Sequence, residues 1–204
     1  MGILDNYRLT HTYSAVTGAV FHPKGKKLAS INGYARARIW DSSTGEQLRS
    51  LLLPYGLHCI AYNPGGDKFA VGGIRYDKLL QIRDATTGEV VRELPKGTGT
   101  RSLTWTPDGK RVIAALESPH IIKTWDAESG REIYSIKMKS SSRFSLSPNG
   151  KLIATTTDLT NSSCRVELWD AQTGKHFSSL THGKVCQHIR QEKAVWSPDS
   201  SQLA

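Results

Sequence analysis

The chain alternates short apolar runs, rich in β-branched and aromatic residues, with polar turns that contain Pro, Asp, Asn and Gly. Runs such as 19–21 and 28–31 flank a Pro-x-Gly turn and are too short to be helices. Because Pro fixes φ and Gly accepts positive φ, each such turn predicts a β-hairpin. No segment sustains an apolar period of 3.6 residues, so we expect an all-β protein with few or no helices.

The hairpin turns recur at a nearly constant distance along the chain. The prolines that open them lie 41, 43, 41 and 50 residues apart, at Pro23, Pro64, Pro107, Pro148 and Pro198. An apolar run that ends in an aspartate keeps the same spacing, at Trp40-Asp41, Arg83-Asp84, Trp125-Asp126 and Trp169-Asp170. A polar Thr-Gly or Ser-Gly turn follows each aspartate. These landmarks predict a repeat of about 42 residues that forms four short antiparallel strands.

The repeat resembles that of the WD-repeat β-propeller family, in which each four-stranded unit is a blade and the blades surround a central channel. The resemblance covers essentially the whole chain and implies one propeller domain over 1–204. Blades are expected at 14–53, 54–96, 97–138 and 139–181, with a partial fifth blade at 182–204 and a strand of the closing blade at 1–13. Since propellers of this family usually have seven blades, the resemblance implies an incomplete ring and a chain truncated at its C-terminus; a closed ring of four or five blades is the less favoured alternative.

Members of this family often carry a hydrogen-bonded tetrad in each blade: the Trp, a Ser or Thr of the second strand, a His and a loop Asp. The Trp is present in three units, but the other parts of the tetrad are found only as Ser30, Thr155, Asp77 and, one residue off, His11. Val71 and Ala114 replace the hydroxyl residue in the other two units. No unit can assemble the tetrad, so we expect apolar packing between blades to supply most of the order. The candidate core residues lie two and four positions before each turn proline: Ala19, Phe21, Ile60, Tyr62, Leu103, Trp105, Phe144, Leu146, Ala194 and Trp196.

Charge adds a preference for acidic partners. The 204 residues include 27 Lys and Arg against 18 Asp and Glu, a formal net charge of +9. Such an excess suits an acidic protein segment, RNA or DNA. The basic residues are scattered and form no long run or aromatic-interleaved stripe, so a solvated surface is favoured and nucleic-acid binding is the weaker alternative. No apolar stretch reaches the roughly 18 residues of a membrane span and no secretory signal is found, so we expect no membrane association and a cytoplasmic protein.

The sequence contains no well-marked catalytic motif: no phosphate-binding glycine loop, HExxH, GxSxG or Asp-rich calcium loop. Cys59, Cys164 and Cys186 include no CxxC pair, which favours reduced thiols. His182, Cys186 and His188 lie in the long insertion and could ligate zinc or copper, but their spacing matches no usual zinc pattern, so a basic loop is favoured. We therefore expect no enzyme, no cofactor and no metal site.

Recognition is the function that remains, because the family's common role is a rigid platform that binds proteins or peptides. The loops that enter the first strand and those between the second and third strands share one rim of a propeller, where Tyr and Arg are frequent binding residues. The predicted binding residues on this rim are Tyr34, Arg36, Tyr55, His58, Arg75, Tyr76, Arg101, His120, Arg143 and His182. A further alternative comes from the Trp-Asp-x-x-Thr-Gly spelling, which resembles bacterial regulatory proteins whose propellers are fused to kinase or NTPase domains.

Overall fold

The computed structural model describes residues 15–34, 36–54, 56–74, 79–95, 99–138, 144–160, 163–182 and 194–204. In these residues every regular element is a β-strand, and sixteen strands form four antiparallel sheets of four. Consecutive strands are neighbours within each sheet. The predicted all-β class and its four-stranded blades are confirmed.

The sheets follow one another along the chain, and each contains four strands in sequence order. The first sheet has β1 (Val16–Phe21), β2 (Lys27–Asn32), β3 (Arg36–Asp41) and β4 (Gln47–Leu52). The second has β5 (Leu57–Tyr62), β6 (Lys68–Gly73), β7 (Leu80–Asp84) and β8 (Val90–Glu93). The third has β9 (Thr100–Trp105), β10 (Arg111–Leu116), β11 (Ile121–Asp126) and β12 (Glu132–Lys137). The fourth has β13 (Phe144–Leu146), β14 (Leu152–Thr160), β15 (Ser163–Asp170) and β16 (His176–His182).

The proline turn joins the first two strands of every sheet. In the first sheet the Gly25 N–H donates to His22 O at 2.8 Å, and Gly25 has φ +81°. The same bond recurs from Gly66 to Asn63 and from Gly109 to Thr106. A positive φ is costly for residues with a Cβ, so glycine at this position is what lets the chain reverse within four residues.

The aspartate of each Trp-Asp pair closes the turn between the third and fourth strands. Asp41 Oδ1 accepts hydrogen bonds from the backbone N–H groups of Ser43 and Thr44, at 2.8 and 2.9 Å. The repeat aspartates Asp84, Asp126 and Asp170 accept equivalent bonds. Hydrogen bonds to the ionised form favour it, so they hold the pKa of Asp41 at about 2, and they also lower the pKa of the other three carboxyls.

The repeat tryptophans differ in their hydrogen bonds. Trp40 Nε1 donates to Ser30 Oγ at 2.7 Å, and Trp169 Nε1 donates to Thr155 Oγ1 at 3.0 Å. Trp125 is fully buried, and within the described residues its Nε1 has no partner. Arg83 replaces the tryptophan in the second sheet.

Buried polar groups surround Arg83. It donates to Gln81 Oε1 at 2.6 Å and to Gly88 O at 2.6 Å. Gln81 in turn donates to Glu93 at 2.9 Å. Burial lowers the pKa of Arg83, and the negative charge of Glu93 opposes that shift. A polar network therefore replaces the indole in the second sheet.

Neighbouring sheets pack face to face through shared apolar clusters. One cluster joins Ile31 and Leu51 of the first sheet to Phe69 of the second, and similar clusters join the second to the third and the third to the fourth. Trp105 Nε1 donates to Ala61 O of the preceding sheet at 3.1 Å. Trp196, which pairs with Leu203 to begin a fifth unit, donates to Ser145 O at 3.4 Å.

The core prediction is wrong at Ala19 and Phe21. Both are exposed, and 64% of Phe21 is accessible. Their equivalents Tyr62 and Trp105 are 8% and 6% exposed because the preceding sheet covers them. Within the described residues no sheet precedes the first, and none of them covers these two side chains. The other eight predicted core residues are buried or half-buried.

Candidate functional site

We define the upper rim as the end of the sheets opposite the proline turns. It contains the loops that enter each first strand and the loops between second and third strands. Five of the ten predicted binding residues are described there: Tyr34, Arg36, His58, Arg101 and His120. Tyr55, Arg75, Tyr76 and Arg143 lie outside the described residues, and of His182 only the backbone, as the last residue of β16, is described.

Backbone hydrogen bonds connect the loops of the upper rim. The Ile74 N–H donates to Gly56 O at 3.2 Å, and the equivalent Glu117 N–H donates to Gly99 O at 2.8 Å. The Gly56 N–H donates to Gly33 O at 3.0 Å, which joins the first sheet to the loop that enters the second. A Cβ at Gly73 would lie 2.8 Å from Gly56 O, so this approach requires glycine. The loops of the first two sheets therefore form one connected surface.

Tyr34 is highly exposed, with 64% of the residue accessible. The backbone N–H groups of Tyr34 and Arg36 both donate to Asn32 Oδ1, at 3.2 and 3.3 Å. Asn32 is itself 3% exposed and fixes the loop. Arg36 Nη1 donates to Ser50 Oγ at 3.3 Å on the outer strand, so its side chain points across the sheet. The phenol ring of Tyr34 thus stands on a loop that is held in place.

Arg101 and His120 lie on the rim of the third sheet. Arg101 pairs with Glu117, and the two side chains are 40% and 31% exposed. His120 is exposed, and its carbonyl accepts the Met138 N–H at 2.8 Å. Exposed ion pairs contribute little to stability, so Arg101 is available to exchange Glu117 for an acidic group of a ligand. Sequence reasoning missed Glu117 because only strand register brings it beside a residue 16 positions away.

His58 occupies in the second sheet the position that Arg101 occupies in the third, six residues before the turn proline. It is half-buried and lies on the innermost strand of its sheet. The five described candidates are therefore spread over the rim of three neighbouring sheets. This spacing makes the described candidates an extended surface rather than a single compact cluster.

A Ser-His-Glu cluster on the fourth sheet resembles a catalytic arrangement only in composition. His176 Nε2 lies 2.8 Å from Glu167 Oε2 and 3.2 Å from Ser179 Oγ. A nucleophilic triad places the serine and the carboxylate at opposite ring nitrogens, whereas one nitrogen faces both groups here. The cluster is a surface hydrogen-bond network.

Other kinds of site can be checked only over the described ranges. Within them, no group of three or more His, Cys, Asp or Glu side chains is placed to hold a metal ion. The possible ligands Cys186 and His188 lie outside those ranges, as does the side chain of His182. No helix in the described part of the chain has the length and apolarity to cross a membrane.

Known proteins resemble the chain at low identity. No protein-family model matches it. It is 24% identical over 145 residues to the serine-threonine kinase receptor-associated protein of Gallus gallus, covering 70% of this chain and 40% of that protein. It is 26% identical over 145 residues to the human pre-mRNA-processing factor 17, covering 69% and 25%. It is 27% identical over 111 residues to the periodic tryptophan protein 2 of Saccharomyces cerevisiae, covering 54% and 12%.

A solved structure shares the fold. The hydrazine synthase of Kuenenia stuttgartiensis superposes with a TM-score of 0.80 at 17% identity, covering 99% of this chain and 58% of that chain. At this identity the likeness concerns the fold alone. The Trp-Asp repeat, the four-stranded antiparallel sheets and the WD-repeat relatives together define a β-propeller. The chain is similar in sequence to these WD-repeat proteins and shares the β-propeller fold.

Proposed function

We propose that this protein is a non-enzymatic scaffold that binds a protein or peptide partner through the upper rim. The observation that carries the proposal is Tyr34, which is 64% exposed on a loop held by Asn32 and joined through Gly33 to the next sheet. A large amphipathic ring on a loop whose backbone is already fixed saves the entropy of ordering that loop on binding, and Tyr is enriched among interface hot spots.

The relatives support an interaction role in general. The Gallus gallus relative is named for its association with a kinase receptor, and the chain spans 40% of that protein's length. The partner, the activity of any longer protein and a fused kinase or NTPase domain are therefore matters for experiment. A cytoplasmic location is part of the proposal, and fractionation of cells that produce the protein tests it.

The test compares two exposed aromatic residues. Tyr34 on the rim and Phe177 on the outer strand of the fourth sheet are each 64% exposed, so Tyr34→Ala and Phe177→Ala remove similar accessible rings from different surfaces. Each variant is immobilised and incubated with nuclease-treated extract, and retained proteins are quantified by mass spectrometry. We expect Tyr34→Ala to lose proteins that the wild type and Phe177→Ala retain.

The outcomes separate protein binding from the alternatives. Identical retention by all three proteins would contradict a rim site centred on Tyr34. Nucleic-acid binding through the basic surface predicts instead that nuclease treatment abolishes retention and that affinity falls steeply as salt is raised. Partners lost only in Phe177→Ala would move the binding surface to the outer strands.

A further inference from the structure

A cleft of about 520 Å³ separates the second and third sheets on the outer side of the molecule, away from the upper rim. The second sheet contributes Lys68, Val91 and Arg92 to its wall. The third sheet contributes Trp105, Lys110 and the turn after β11, where Ala127 lies. An equivalent cleft between the first and second sheets measures only about 180 Å³.

One repeat position explains why the clefts differ. The residue eight positions after the repeat aspartate is Arg49, Arg92 or Tyr134, and it faces the turn of the following sheet. Arg49 Nη1 donates to Thr86 O at 2.6 Å, and the Tyr134 hydroxyl donates to Ala171 O at 2.6 Å. The first bond links the first sheet to the second, and the other links the third sheet to the fourth. They bridge the spaces on either side of the wide cleft, and the bridged space between the first and second sheets measures about 180 Å³.

Arg92 makes no such bond. Its side chain lies against Gly130, where a Cβ would be 3.1 Å from Arg92 Cδ. Among the described residues its guanidinium has no hydrogen-bond or ion-pair partner. A second repeat position shows the same difference. Arg111 of the third sheet donates to Gln172 O in the turn of the fourth sheet at 3.0 Å. Lys68 is the equivalent residue of the second sheet, and among the described residues its side chain makes no such bond to the third sheet. In the described residues, the space between the second and third sheets is therefore the one of the three without a hydrogen bond from the repeat position that Arg92 occupies.

The open cleft combines positive charge with an apolar floor. Lys68, Arg92 and Lys110 line it, and in the described ranges none of the three side chains has an ion pair. Trp105, 6% exposed, lies at its base, and Val91, 44% exposed, lies beside it. Asp126 and Glu128 are on the opposite wall.

The two acidic residues of the cleft belong to the third sheet. The Asp126 carboxylate is engaged by its own turn, since it accepts hydrogen bonds at 2.7 Å from both the N–H and the hydroxyl of Ser129. Glu128 comes from the third sheet, whereas Lys68 and Arg92 come from the second. Among the residues that line the cleft, the second sheet contributes Asn63, Lys68, Val91 and Arg92 and no carboxylate.

We propose that this cleft is a second docking site, for an acidic segment of a protein partner that carries one large apolar side chain. The apolar side chain packs on Val91 and Trp105, and the carboxylates face Lys68, Arg92 and Lys110. The site lies away from Tyr34, so the two surfaces bind independently. The net charge of +9 attracts such a segment at long range.

The probe is a fluorescein-labelled peptide with the sequence Asp-Glu-Leu-Phe-Asp-Glu, and binding is measured by fluorescence anisotropy. The decisive variant is Arg92→Tyr, because Ala127 O corresponds to the Ala171 O that Tyr134 binds. A tyrosine there should close the cleft as in the next sheet, and we expect affinity to fall at least about tenfold. Arg92→Gln removes the charge and leaves the cleft open, and should weaken binding about three- to fivefold.

The repeat supplies a matched control. Lys110 and Lys151 occupy the same position in consecutive units, three residues after the turn proline, but Lys151 adjoins the cleft that Tyr134 closes. Lys110→Gln should weaken binding about threefold, and Lys151→Gln should leave it unchanged. The proposal would be overturned if both Arg92 variants bound the acidic peptide with unchanged affinity, or if the two lysine variants lost affinity equally. It would also be overturned if a Lys-Lys-Leu-Phe-Lys-Lys peptide bound the wild type as tightly as the acidic peptide does. Tyr34→Ala should bind the acidic peptide normally, which separates this result from a failure of the upper-rim site.

Discussion

Ala114→Ser should stabilise the protein, because it supplies the acceptor that the indole of Trp125 lacks. Ser30, Ala114 and Thr155 hold equivalent positions, each paired with the residue two before the repeat tryptophan. The first and fourth sheets place a hydroxyl 2.7 and 3.0 Å from the indole nitrogen, and the third sheet places a methyl group there. The substitution reproduces within the third sheet an arrangement that the chain already uses twice.

The magnitude follows from the burial of the indole. Trp125 is 0% exposed and its Nε1 has no partner among the described residues, and an unpaired buried donor costs about 1–3 kcal/mol. The serine hydroxyl must itself be desolvated, so we expect a net gain of about 1 kcal/mol. For a chain of this length that gain raises Tm by about 2–4 °C. Thermal unfolding followed by circular dichroism measures it.

A double-mutant cycle isolates the hydrogen bond from other effects of the serine. In a Trp125→Phe background the acceptor has no donor, so Ala114→Ser should there be neutral or destabilising. The companion change Ser30→Ala should cost about 1–3 kcal/mol by leaving Trp40 without this acceptor. An equal effect of Ala114→Ser in both backgrounds would refute the reasoning, since the gain would then owe nothing to the indole.

Three further predictions concern turns and a thiol. Gly66→Ala should destabilise more than Gly25→Ala in urea unfolding. Both glycines have positive φ, but a Cβ at Gly66 would lie 2.2 Å from His22 Nε2, while one at Gly25 meets nothing within 4 Å. The extra cost is about 0.5–1.5 kcal/mol, because the displaced imidazole loses its hydrogen bond with Gly66 O. The folded pKa of Asp41 is about 2, below its value of 3.8 without these contacts. The ionised carboxylate therefore contributes stability above pH 4, and this contribution is lost as the pH falls towards 2. We expect Asp41→Asn to show a smaller fall in Tm between pH 5 and 2.5 than the wild type. Burial raises the pKa of the Cys59 thiol to about 12, so iodoacetamide at pH 8 should alkylate Cys59 in the unfolded chain and not in the native one, as peptide mass mapping will show.

The repeat landmarks predicted the fold because they act locally. A proline and a glycine three or fewer residues apart define a turn wherever they occur, and the Asp41 carboxylate binds N–H groups only two and three residues away. Such interactions need no knowledge of distant parts of the chain. The four-stranded unit and its order could therefore be predicted from the sequence.

Features that depend on neighbouring sheets could not be predicted in the same way. Phe21 has the same sequence context as Trp105, yet one is 64% and the other 6% exposed, because burial at this position is decided by the preceding sheet. The Arg83 network with Gln81 and Glu93 joins residues of two strands through their register. The five described upper-rim residues lie at the end of their sheets opposite the proline turns, and their role in binding stays a prediction.

The repeat itself separates structural from functional positions. The backbone repeats from sheet to sheet, so the same kind of hydrogen bond could link each sheet to the turn of the next. Two of the three pairs of neighbouring sheets have this bond, through Arg49 and Tyr134. A hydrogen bond of this kind contributes about 0.5–1.5 kcal/mol to stability. Arg92 lacks the bond, so the second and third sheets lack a stabilising contribution that the other two pairs of sheets have. If the open cleft binds a ligand, the free guanidinium regains that energy as affinity. The stability of Arg92→Tyr therefore bears on function as well. If this variant has a higher Tm than the wild type and no longer binds the acidic peptide, then the wild-type arginine lowers stability and supports binding at the same position.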